Sequence, residues 1–224
     1  MGDRLQDKRV LVTQCSAFMG PALVELFERE GAAVVADDRD LKVEGACEQA
    51  VADAGALDVL VVNLAHPPVA APAQQIRDQD WHALFDALVH PLMRLVRAAA
   101  PAMIARRSGK IVVMGSAAPL RGIARNGSYC AARGAQNAFV QAVGLELAPQ
   151  GVQINAVAQN YVKNDSYYPE ALLKTERFAN HLARNVPAGR VAEGWESAEL
   201  ALFLASDKSD FLCGTVIPFA GGWA

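Results

Sequence analysis

Short β-branched apolar runs recur along this 224-residue chain and alternate with longer stretches of helical spacing, a pattern that restricts it to βα units around a parallel sheet. KRVLVT (8–13), AVVAD (33–37), DVLVVN (58–63), KIVVMGS (110–116) and VQINAVA (152–158) read as strands. AVVAD and DVLVVN are nearly continuously hydrophobic, which predicts strands in the sheet interior. Helices are expected from Gly20 to Glu30 with Gly31 as the C-cap, over 43–54, over 80–106 with Pro91 and Pro101 as kinks or breaks, and over 128–148. No linker-like or low-complexity stretch interrupts the pattern, and the length suits one well-buried core. Residues 1–224 are therefore expected to form a single α/β domain, a Rossmann-like doubly wound parallel sheet flanked by helices.

Charge narrows the partners. With 21 basic and 24 acidic residues spread along the sequence and a net charge of −3, there is no electrostatic footprint for nucleic acid or an anionic membrane, so a small substrate is expected. No apolar run reads as a membrane span, and the start MGDRLQDKRV is too charged for a secretory signal, which points to the cytoplasm. Cys15, Cys47, Cys130 and Cys213 are widely spaced and read as buried thiols, with neither a disulfide framework nor a metal site indicated. His66, His82, His90 and His181 are scattered and receive no role.

In sheets of this kind ligands bind at the carboxyl ends of the strands, where Thr13, Asn63, Ser116 and Gln159 fall. Tyr129 and Arg133 are four apart near the start of a helix and share one face. Ser116 reaches the same mouth from the preceding strand. A free tyrosine, with a pKa of about 10, is a poor base at neutral pH, and a neighbouring guanidinium favours its phenolate. The trio suits alcohol or alkoxide chemistry, Ser116 binding a substrate oxygen whose proton Tyr129 takes or gives.

The first strand-to-helix turn reads Thr13-Gln14-Cys15-Ser16-Ala17-Phe18-Met19-Gly20. A dinucleotide site needs glycine there for the tight turn and for close approach of the backbone to the pyrophosphate, and those places hold Gln14 and Phe18. Asp37 and Asp38 follow the second strand about where such a site places the acid that grips a ribose, but an acid without a phosphate cradle has no ligand to hold, and a polar strand end is the better account of them. Asn63-Leu64-Ala65 is followed by His66, Pro67 and Pro68, which disfavour a nicotinamide pocket.

Ser116, Tyr129 thirteen residues on and a cation at 133 resemble the Ser-Tyr-Lys signature of the short-chain dehydrogenases/reductases, and the ending PAGRVAEGWESAELALFLASDKSDFLCGTVIPFAGGWA is similar to that family's. Arginine at 133 together with Phe18 in the turn resembles one branch, the halohydrin dehalogenases. That resemblance implies a cofactor-independent lyase with no metal: Tyr129, held by Arg133, deprotonates a vicinal haloalcohol oriented by Ser116, and the alkoxide expels halide to give an epoxide. In reverse, halide or another small anion opens the epoxide. The resemblance also implies a halide site at Gln159, Asn160, Tyr161 and Val162 with Phe18 as a wall, Tyr168 closing the substrate pocket, and a homotetramer built through alanine- and leucine-rich helices. Trp223 is expected to pack or to contact another subunit. Two alternatives stay open: an NAD(P)-dependent reductase with a divergent turn, and a catalytically silent binding domain.

Overall fold

The computed structural model describes residues 3–224. Its strands β1 (Arg9–Thr13), β2 (Ala33–Asp37), β3 (Val59–Asn63), β4 (Gly109–Ser116), β5 (Val152–Gln159) and β6 (Val216–Phe219) pair in the order β2-β1-β3-β4-β5-β6, every pairing parallel. Parallel neighbours need crossovers, and helices supply them on both faces. These are α1 (Gly20–Arg29), α2 (Ala46–Ala54), α3 (Asp78–Leu88), α4 (His90–Arg106), α5 (Ala118–Arg121), α6 (Gly127–Leu147), α7 (Glu170–Leu173), α8 (Glu176–Asn185) and α9 (Gly194–Ala205). Two apolar layers result. One sets α2, α3, α4 and α6 against the sheet around residues such as Leu60, Leu84, Leu95 and Ile111; the other sets α1 and α9 against it around Leu23, Phe27, Val61 and Leu202.

β1, β3, β4 and β5 end at Thr13, Asn63, Ser116 and Gln159, the positions expected at the ligand-binding edge. Several boundaries differ. β2 is an edge strand with partly exposed residues rather than an interior one, because the chain after it forms one helix and returns on the far side of β1. An unbroken apolar run does not distinguish these cases. The 80–106 helix divides at Val89 ahead of Pro91, yet α4 runs through Pro101. α2 starts three residues late because Gly45 takes a φ of +77°. β6 had no counterpart in the sequence reading; Pro218 sits in it at an edge, where a missing N–H is tolerated.

The 78–106 stretch is, by length and composition alone, apolar enough to cross a membrane, contrary to the sequence reading, and half of its apolar window is buried in the fold. Of the four free cysteines only Cys47 is fully buried. Trp223 packs within its own chain, edge-on to Tyr161 and under the Arg121 guanidinium, which also donates to its carbonyl.

α6 is the longest helix and is fixed by one close backbone approach. A Cβ on Gly144 would lie 2.3 Å from the Cα of Gly214. Gly144→Ala is expected to lower stability by roughly 1–3 kcal/mol, as overpacking does. Gly134→Ala, whose Cβ would meet Pro119 Cβ at 3.5 Å, is expected to be neutral or stabilising. Urea unfolding of the two variants reads the contrast; equal effects would show that the Gly144–Gly214 approach does not matter.

Candidate active site

Ser116 and Tyr129 line one cavity of about 340 Å³ at the carboxyl edge of the sheet, together with Phe18, Gln159, Asn160, Val162 and Tyr168. Ser116 ends β4, and its Oγ accepts the Ala118 N–H at 3.1 Å. Tyr129 lies in the first turn of α6, and Arg133 follows one turn later, 0% exposed.

Arg133 has five N–H donors, and five hydrogen bonds occupy them. Nε donates to Tyr129 Oη at 3.1 Å; Nη1 to the Met114 carbonyl and Gln136 Oε1; Nη2 to the Leu64 carbonyl and Tyr167 Oη. None of these acceptors is a carboxylate. Burial, the largest influence, opposes the charge, but Tyr129 and Tyr167 outweigh it and hold the guanidinium above its ordinary value.

Tyr167 is a site residue that the sequence reading missed. Its hydroxyl accepts from Arg133 at 3.1 Å and from the His66 N–H at 3.0 Å, and donates to the His66 carbonyl at 2.9 Å. Its ring meets Phe18 edge-on at 5.2 Å between centroids and Tyr129 at 6.2 Å. Burial pushes its phenol up to about 12, the Arg133 charge opposing. Both phenols on Arg133 line the cavity but differ: Tyr167 spends its proton on the His66 carbonyl, while Tyr129 Oη accepts from Arg133 and donates to no protein group among the described residues. The sequence signal for it is the Tyr167-Tyr168 doublet, in which residue order does not distinguish the two hydroxyls.

Tyr168 also lines the cavity, and its hydroxyl donates to Asn160 Oδ1 at 2.5 Å. The same oxygen accepts the Tyr161 N–H at 3.0 Å, leaving the Asn160 amide its Nδ2 donors. Asn160 N–H donates to the Phe219 carbonyl. Val162 N–H has no protein partner among the described residues. Tyr161, expected in the halide site, does not line this cavity: at φ +54° its ring turns away to pack on Tyr168, His181 and Trp223. Gln159 lines the cavity with its amide oxygen held by Ser197 at 2.5 Å.

The 13–20 turn keeps the backbone of a glycine turn with no glycine at 14 or 18. Gln14 and Phe18 have φ of +45° and +54°, the left-handed region that costs a side-chain-bearing residue roughly 1–2 kcal/mol. Each N–H from Cys15 to Gly20 has an internal acceptor. Cys15 donates to the Asp37 carbonyl, Ser16 to Asp38 Oδ1 at 2.9 Å, Ala17 to the Gln14 carbonyl and Gly20 to the Ala17 carbonyl. Phe18 donates to Ser166 Oγ at 3.0 Å and Met19 to Asn63 Oδ1 at 3.4 Å. Gln14 Oε1 accepts the Ala65 N–H at 2.8 Å. Asp37 is engaged by the Arg39 guanidinium at 2.6 Å.

A family model described as enoyl-(acyl carrier protein) reductase matches residues 9–224. The 3-oxoacyl-(acyl-carrier-protein) reductase of Vibrio harveyi is 27% identical over 243 residues, covering 97% of this chain and 98% of the relative. Among solved structures, one titled a dehalogenation enzyme is 33% identical with a TM-score of 0.93, covering 99% of this chain and 100% of that one. A halohydrin dehalogenase bound to ethyl (2S)-oxiran-2-ylacetate is 27% identical with a TM-score of 0.87, covering 95% of this chain and 96% of that one.

With Tyr167 raised above its ordinary value of 10, the neutral phenol contributes stability that is fully present below about pH 10 and is lost as pH rises through about 12. Tyr167→Phe is expected to cost about 1–3 kcal/mol near neutrality, since it strips partners from Arg133 and His66. It should also flatten the alkaline fall in urea-unfolding free energy; a fall as steep as in the parent protein would rule out Tyr167 as a neutral clamp.

Proposed function

The chain belongs to the short-chain dehydrogenase/reductase family, and we propose that within it this protein is a halohydrin dehalogenase that closes vicinal haloalcohols to epoxides without a nicotinamide. One observation carries the reading: the turn that would hold a pyrophosphate has its N–H groups spent internally, while Ser116 and Tyr129 line the cavity and buried Arg133 is bonded to Tyr129. A dinucleotide does not fit these residues. Phosphate cradles work by aiming free N–H groups at the anion. Here the Ser16 N–H already faces the Asp38 carboxylate, whose charge would repel a phosphate. Phe18 and Tyr167 fill the space beside Tyr129 with aromatic rings.

In this reading Ser116 donates its hydroxyl proton to the substrate oxygen, and Tyr129, as phenolate, takes the carbinol proton. The C–O bond forms from behind the neighbouring carbon as the C–X bond breaks, and halide leaves with the electron pair. The proton on Tyr129 then passes to solvent, so each turnover yields an epoxide, a halide and a proton. The nucleophile is part of the substrate, and holding it in line with the leaving group supplies much of the rate. Arg133 suits this work because its charge is balanced by no carboxylate and an anion on Tyr129 lies against its Nε. For the departing halide the available groups are Asn160 Nδ2 and the Val162 N–H, with Phe18 as an apolar wall, a combination that lowers the cost of desolvating an anion. The cytoplasmic homotetramer expected from the sequence belongs to the same reading.

The competing reading, an NAD(P)-dependent reductase, draws on the identity to the Vibrio harveyi enzyme. Purified, dialysed protein is expected to release chloride from 1,3-dichloro-2-propanol with no nicotinamide present, and Tyr129→Phe to reduce that rate by about 10²–10⁴-fold, the usual worth of a general base. Saturable NADH or NADPH binding without chloride release would put the reductase first. Phe18→Gly alone is expected to leave nucleotide binding undetectable, because Gln14 and Asp38 still close the turn.

A further inference from the structure

The cavity wall holds one polar side chain that neither the fold nor this mechanism uses. Asn126 occupies the N-cap of α6, a position asparagine favours because its side-chain oxygen accepts a free helical N–H. It makes no such bond. The residue lines the cavity instead, and its Oδ1 is buried with no hydrogen-bond partner. The neighbouring polar side chains are engaged: Asn164 bonds the Val162 carbonyl and the Tyr167 N–H, Ser166 accepts from Phe18, and Gln159 accepts from Ser197. Of the other buried atoms without partners, Glu48 Oε2 belongs to a carboxylate paired with Arg97, and Asn137 is not among the cavity residues.

A buried polar atom left unpaired is unfavourable, and folded proteins hold few of them. Asn126 precedes Tyr129 by three residues at the start of α6, and both side chains line the cavity. Rotation about χ2 exchanges its two ends, so it can meet a donor or an acceptor. Pro67, Pro68 and Ile123, which line the same cavity, offer a ligand no side-chain hydrogen bond. We infer that Asn126 is a specificity-determining residue. It selects vicinal haloalcohols that carry a second hydroxyl on the carbon flanking the carbinol, on the side away from the halide. An alkyl group there leaves the amide unpaired; a hydroxyl satisfies it.

This inference rests on the dehalogenase reading, and one substrate pair separates the two. Chloride release is measured with 3-chloro-1,2-propanediol and with 1-chloro-2-propanol, which lacks only the terminal hydroxyl. The parent protein is expected to favour the diol in kcat/KM by roughly tenfold, the worth of one well-made hydrogen bond. Asn126→Leu is expected to bring that ratio close to one, and Asn126→Ala serves the same purpose if the leucine variant does not fold. Because the ratio is taken within each protein, a uniform loss of activity does not move it. Equal efficiency on both substrates in the parent protein, or a preference that survives in the variants, would overturn the role of Asn126 while leaving the dehalogenase standing. Release from neither substrate would overturn the role of Asn126, and would overturn the dehalogenase reading too only if 1,3-dichloro-2-propanol also releases no chloride.

Discussion

The site depends on how a fully buried guanidinium is kept charged. Burying a cation is costly unless its donors are met, and Arg133 meets all of its donors with two phenols, two backbone carbonyls and one amide. Those acceptors come from α6, the end of β4, the turn after β3 and the 160s loop, so one side chain ties four parts of the chain to a common point. Lysine, with three donors and no planar fork, could not make this set of contacts. Leaving carboxylates out of the set is the functional half of the arrangement. A carboxylate would stabilise the cation and neutralise it, whereas phenols and carbonyls satisfy its donors and leave its charge for an anion on Tyr129.

The 13–20 turn complements this. The left-handed backbone of a glycine turn persists at Gln14 and Phe18, and the strain is held by bonds from Asn63, Ser166 and Asp38 to the turn's own N–H groups. Asn63 also donates to the Gln14 and Ala17 carbonyls, which clamps the turn to the end of β3. The Phe18 ring is thereby set against Tyr167 and within 5.6 Å of the Arg133 guanidinium carbon. A strand-to-helix turn of the kind that elsewhere opens toward a phosphate is here closed on itself, and its side chain becomes a wall of the cavity.

Much of this was legible from residue order. The four strand ends followed from apolar periodicity, the Tyr129–Arg133 contact from four-residue spacing, and the unsuitability of Gln14 and Phe18 from backbone sterics, all of which are local. The misreadings have a common cause. Whether AVVAD lies inside the sheet or at its edge depends on which side of β1 the chain returns to, and whether Pro101 stops a helix depends on what packs around it. Tyr167 and Tyr168 are adjacent and chemically alike, so only the closure of the 160s loop over the site decides which hydroxyl reaches Arg133.

The sequence by itself determined the α/β sheet, the family and the Ser-Tyr-Arg trio, because strand propensity, helical spacing and the steric demands of a tight turn act over a few residues. The tertiary structure alone decided that Arg133 is shared by two tyrosines, that every N–H of the 15–20 turn is occupied, that Tyr161 faces away from the cavity, and that Asn126 is left unpaired in its wall. Each of these is a question of which polar group finds which partner across the fold. Residues as distant as His66 and Tyr167, or Phe18 and Ser166, are brought within hydrogen-bonding reach only when the whole sheet has assembled.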